Sequence, residues 1–189
     1  MFSPVKFALS LFAFITFATL VIAMPSTELR PRTPNAKTFI TSTNTLLERT
    51  LLPVVYVTSA NATSNNITPI ITEVVEIVAD LVVSLQGIDL TGCGCTTSQI
   101  LEELAVTLKI IFEPLGIACG YDLNLALLLS NLIAVIIQLV DVVLALVGAL
   151  VVELLVLLIG NGCAGTILGL NLGPLIDCLG LGGLLGHIL

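Results

Sequence analysis

Five cysteines, Cys93, Cys95, Cys119, Cys163 and Cys178, are the side chains of this chain best suited to covalent chemistry. In an oxidising compartment an even set would form a disulfide framework, and five leaves one thiol over. Cys93 and Cys95 flank Gly94 and are too close to pair comfortably with each other. Each is expected to tie the 92–95 loop to a segment around Cys119, Cys163 or Cys178. Small buried thiols are the alternative. A structural zinc site does not fit, because Cys-x-Cys without a matching His pair lacks the required ligand spacing.

A second chemistry is available at Asn61-Ala62-Thr63 and Asn66-Ile67-Thr68, two acceptors for N-linked sugar. The Ser, Thr and Pro bias around them also permits O-glycans. Catalysis has little to work with. The one histidine, His187, lies two residues from the terminus, where no rigid triad can be assembled. No Gly-rich phosphate loop with a following Lys occurs. Glu102 and Glu103 are adjacent, so on a helix they diverge, and Glu73 with Glu76 reads as a wet stripe. The chain is expected to be no enzyme and to need no cofactor or metal.

The elements that hold these groups divide by polarity. Residues 1–23 have the layout of a secretory signal peptide, with Lys6 in the n-region, an apolar core over 7–22 and a cleavage site after Ala23. Residues 24–69, punctuated by five prolines and rich in Thr and Ser, are expected to be a disordered arm, since they offer little apolar surface to offset ordering entropy. Residues 70–189 form the hydrophobic helical domain. There eleven carboxylates face one lysine, Lys109, and His187.

Helical spacing predicts a helix over 70–86, with Glu73, Glu76 and Asp80 on one stripe, ended by Gly87. Residues 88–97 read as a loop. Ser98 is the expected N-cap of a helix over 99–113 that Pro114 and Gly116 stop. Asp122 then caps the longest apolar element, 123–159, whose polar line runs Asn124, Asn131, Gln138, Asp141, Ala145, Gly148. A break near Gly148 is expected to turn it into a hairpin of two helices. Short helices are expected at 166–170 and 174–179 in the Gly-rich tail. The fold class is therefore all-α: a small, disulfide-tied bundle of hydrophobic amphipathic helices behind a disordered arm.

Composition narrows the partners. Charged residues make up 10% of the chain, against about 25% in ordinary domains, and mean hydropathy is +1.14. Such a chain cannot coat its exterior with charge, so apolar interaction surfaces are expected. The net charge of −7 excludes nucleic acid, which binds through Lys and Arg on phosphate. It also argues against attraction to anionic lipid. Integral membrane residence, with one or more helices in 123–176, is an alternative. Asp141 and Glu153 weigh against it, because a carboxylate at bilayer centre costs about 2.5–3.5 kcal/mol.

The cleaved leader, the Thr/Ser-rich front half and the Val/Leu/Ile-Gly runs over 135–170 resemble the small secreted structural proteins of mushroom-forming fungi that accompany hydrophobins. Hydrophobins themselves carry eight cysteines with adjacent pairs, which this chain lacks. The resemblance implies a secreted protein of the hyphal wall or extracellular matrix. It also implies support of aerial hyphae and attachment to hydrophobic surfaces by self-association, with cell-wall polysaccharide as a further partner. Hydrophobic interfaces or lipid complete the expected partners, and a secreted lipid carrier is the other alternative.

Overall fold

The computed structural model describes residues 35–58, 61–88, 90, 94–121, 129–149, 151–170 and 173–179. Seven helices account for their regular structure: α1 Ala36–Val55, α2 Ser64–Gln86, α3 Thr97–Tyr121, α4 Ser130–Val147, α5 Val151–Gly160, α6 Cys163–Gly169 and α7 Gly173–Cys178. Among the described residues there is no strand, and the all-α class holds.

Within the arm expected to be disordered over 24–69, Ala36–Val55 and the stretch from Ser64 onward are helical. In α1, Ala36, Ile40, Asn44, Leu47, Leu51 and Val54 recur every three or four residues and are buried. Thr41, Ser42 and Thr45 lie exposed between them. Two of their hydroxyls bond back to the helix: Ser42 Oγ donates to Phe39 O at 2.9 Å and Thr45 Oγ1 to Thr41 O at 3.2 Å. Asn35 caps the start, its Oδ1 accepting from Lys37 N at 2.8 Å. Helix α2 likewise begins six residues before the expected position, at Ser64, and carries Pro69 within it. Its Glu73, Glu76 and Asp80 are exposed, opposite a buried line that includes Ile71, Val74, Val78 and Leu85.

Helix α3 starts and stops elsewhere than the sequence suggests. Thr96, not Ser98, makes the cap. Gln99 N donates to Thr96 Oγ1 at 3.2 Å while Thr96 N donates to Gln99 Oε1 at 3.2 Å, a reciprocal capping box. Replacing Thr96 with Ala is expected to lower stability by about 1 kcal/mol, with Thr96→Ser close to wild type. An unchanged denaturation midpoint in Thr96→Ala would reject the box. At the other end α3 runs through Pro114 to Tyr121. A proline in a helix interior costs about 3 kcal/mol, but Pro114, Leu115, Ala118 and Cys119 are all buried, and that packing carries the helix onward.

The break near Gly148 is present. Gly148 adopts φ 62°, ψ 27° and caps α4 by donating its N–H to Leu144 O, the left-handed geometry that glycine tolerates best. The expected hairpin does not form: α5 packs on α3 and α6 instead of folding back on α4. The tail supplies its two short helices at slightly shifted bounds. Packing links α1 to both α2 and α3, α2 to α4, α3 to α4, α5 and α6, and α7 to α4 and α6. One continuous core results, centred on fully buried Phe112, Leu104, Leu108, Ile111 and Ile40.

Candidate functional site

Helices α3 and α6 come close at Gly116. A Cβ there would lie 2.8 Å from Thr166 Cγ2 on α6, so glycine lets α3 and α6 touch. Gly116→Ala sets a helix-propensity gain of about 1 kcal/mol against that collision. On a Thr166→Ser background the methyl is gone, and Gly116→Ala is expected to stabilise. A thermodynamic cycle should therefore give a coupling of about 1 kcal/mol. Additive effects would show that the two residues do not touch.

At this contact α3 and α6 border a cavity of about 530 Å³, lined by Gly116, Ile117, Cys119, Gly120, Gly169 and Leu170. Glu113 and Thr166 belong to it and to a smaller pocket of about 150 Å³ shared with Lys109, Asn161 and Cys163. An apolar groove thus meets a polar end, an arrangement able to hold a small amphiphile.

The expected cysteine framework is dispersed. Cys95 Sγ donates to Asn35 Oδ1 ahead of α1, Cys119 sits in the last turn of α3, Cys163 opens α6 and Cys178 closes α7. No disulfide joins any two of the described cysteines, and Cys93 lies outside the described residues. Burial, reinforced by Glu113 and opposed by Lys109, pushes the Cys163 thiol up to about 11. Burial and Asp141 also raise Cys178. Both are poor nucleophiles at neutral pH.

The carboxylates separate as their spacing requires. Glu102 is exposed and accepts from Ser98 Oγ at 3.2 Å. Glu103 departs from a purely solvated face: it turns toward α1, where Asn44 Nδ2 donates to its backbone O at 3.3 Å and to Oε2 at 3.4 Å. Thr107 Oγ1 lies 2.6 Å from Asn44 Oδ1 and 2.9 Å from Glu103 O, with one proton to share between them. Lys37 Nζ reaches Glu103 Oε1 at 4.0 Å on the rim. This cluster, with Asn44 and Thr107 buried, was not evident in the sequence. Its signal is a polar Asn44 in register with Ile40, Leu47 and Leu51. Among the described residues every buried side-chain nitrogen and oxygen has a partner, and no acid, His and Cys group gathers as a metal site. His187, Asp89 and Asp122 lie outside the described residues.

Large apolar side chains remain on the exterior. On α5, Val152 and Val156 are each 64% exposed and Ile159 52%, one stripe at i, i+4 and i+7. Tyr56 is 72% exposed beside Leu52 and Val55 at the end of α1. The described part of the expected polar line, Asn131, Gln138, Asp141, Ala145 and the cap Gly148, is exposed along α4, and Asn124 lies outside the described residues. Helices α3 and α4 are long and apolar enough to cross a membrane by length and composition, and α5 with α6, bent by 96°, would form a third such stretch. Both sequon asparagines are exposed, Asn61 on the α1–α2 connection and Asn66 in the first turn of α2.

Comparison with family models, with curated proteins and with solved structures finds no match.

Proposed function

We propose that this chain is a secreted, non-enzymatic, surface-active structural protein of the fungal cell wall or extracellular matrix, supporting aerial hyphae and attachment to hydrophobic surfaces by self-association. The observation that carries the reading is the α5 stripe. Val152, Val156 and Ile159 are turned to solvent on a helix whose Leu154 and Leu158 are already buried in the core. Burying such side chains against a second surface contributes roughly 25 cal/mol per Å², and Glu153 is the one charge on that helix. Oxidation of cysteine pairs on export, tying the bundle, belongs to the same proposal, and gels with and without reductant test it.

The functional test uses the purified mature chain. It should lower surface tension and make a hydrophobic solid wettable. Val152→Glu with Val156→Glu should weaken both effects at least several-fold while leaving helicity intact. Wild-type protein that neither adsorbs nor associates removes the proposal.

The cavity between α3 and α6 favours a second reading, a secreted lipid carrier. That protein would purify as a monomer with bound lipid, visible in native mass spectra. A coat protein would self-associate without any.

A further inference from the structure

The turn between α1 and α2 holds an acceptor asparagine, Asn61, five residues after Tyr56, the last member of an exposed apolar patch at the end of α1. Leu52, Val55 and Tyr56 are 52%, 47% and 72% exposed at the end of α1. The chain then folds back tightly. Val57 N donates to Val54 O at 3.1 Å, Asn61 N to Thr58 O at 3.0 Å and Ala62 N to Thr58 O at 2.9 Å. Asn61 Oδ1 accepts from Thr58 N at 2.6 Å and from Thr58 Oγ1 at 3.1 Å. Because a backbone N–H can only donate, this bond fixes which amide atom is oxygen. Asn61 Nδ2 is therefore the amide atom left with no hydrogen-bond partner among the described residues.

Asn66 is placed differently. It lies in the first turn of α2, where its Nδ2 donates to Asn61 O at 3.0 Å and the hydroxyl of its sequon, Thr68 Oγ1, donates to Ser64 O at 2.5 Å. The nitrogen that would bear sugar is thus turned onto the protein. At Asn61 no such bond holds it, and the residue is exposed.

We infer that Asn61 carries an N-linked glycan, and that this sugar covers the Leu52, Val55 and Tyr56 patch. The inference rests on the secretory reading. The donor class is an oligosaccharide linked to a polyprenyl pyrophosphate. Asn61 Nδ2 bonds to the anomeric carbon, that carbon's bond to the pyrophosphate oxygen breaks, the lipid pyrophosphate leaves, and one Nδ2 proton is released. No electron transfer is involved. The glycan supplies the hydration that Tyr56 and its neighbours lack, which keeps an apolar end from meeting other apolar surfaces in transit.

The full chain, leader included, is expressed in a eukaryotic secretory host. Thr63→Ala abolishes the acceptor but leaves the Asn61 amide in its bonds, and Thr63→Ser restores it. The expected result is one discrete mass step, removed by amidase deglycosylation, absent in Thr63→Ala, retained in Thr63→Ser and retained in Thr68→Ala. Deglycosylated protein should associate at several-fold lower concentration in light scattering, and Leu52→Thr with Tyr56→Thr should cancel that increase. A mass step lost with Thr68 and kept without Thr63 overturns the assignment. Unchanged association after deglycosylation overturns the covering role. Protein exported without sugar defeats this inference alone, whereas protein retained in the cytosol defeats the secretory reading with it.

Discussion

Substituting Asp for Asn44 is expected to destabilise the bundle by about 3 kcal/mol at neutral pH and by far less in acid. Asn44 is 5% exposed at the α1–α3 contact. Asp keeps its shape and still accepts from Thr107 Oγ1, now at 2.6 Å from Oδ1. It loses the donor that meets Glu103 O at 3.3 Å and Glu103 Oε2 at 3.4 Å. A carboxylate oxygen would face a carboxylate and a carbonyl there, with no proton between them. Lys37, 4.0 Å from Glu103 on the partly exposed rim, is too distant and too hydrated to neutralise the pair.

The pH dependence has a definite sign. Burial and the Glu103 charge both disfavour the ionised form of the new Asp, so its folded pKa lies above the unfolded value of about 3.9. Below the unfolded value the group is protonated in both states and the penalty is absent. The penalty grows as pH rises toward the folded value and is complete above it. Urea denaturation of variant and wild type at pH 4 and pH 7 measures this. Equal losses at both pH values would show that Asn44 does not face Glu103. Asn44→Ala supplies the contrast, because its loss comes from a cavity and absent hydrogen bonds and should vary little with pH.

That same residue marks where the sequence is hard to read. Composition over 24–69 is that of a disordered segment, yet the apolar positions of α1 recur at helical spacing once Asn44 is allowed in the buried stripe. The polar interruption belongs there because Thr107 and Glu103, on a helix some sixty residues later, supply its partners. Local pattern sufficed for α2's acidic stripe, for the outward polar line of α4 and for the Gly148 break, all of which depend on neighbours within one or two turns. It failed at Pro114 and Gly116, which look like stop signals. One is buried by surrounding helices, and the other is needed small because Thr166 lies against it. It failed for α5 as well, since which helix a segment packs against is settled by tertiary fit. The groove between α3 and α6 could not be seen for the same reason.

Phe112→Ala is expected to carry the largest stability loss, about 4 kcal/mol, because the ring is fully buried in α3, the helix that touches α1, α4, α5 and α6. Set against a typical net stability of about 5–15 kcal/mol, that loss leaves a substantial open population on warming. Differential scanning calorimetry should show a large fall in Tm, and an apolar dye should bind more strongly. The effect on adsorption is more telling. An open bundle presents its inner apolar face as well as its outer stripe, so Phe112→Ala should adsorb to hydrophobic solids faster than wild type. The α5 variant Val152→Glu with Val156→Glu should keep near-native stability, since both side chains are mostly exposed, and adsorb more slowly. Opposite signs are what a folded protein with a dedicated outer stripe requires. If both variants adsorbed faster, the active surface would be the interior released by unfolding, and the α5 stripe would have no special part in it.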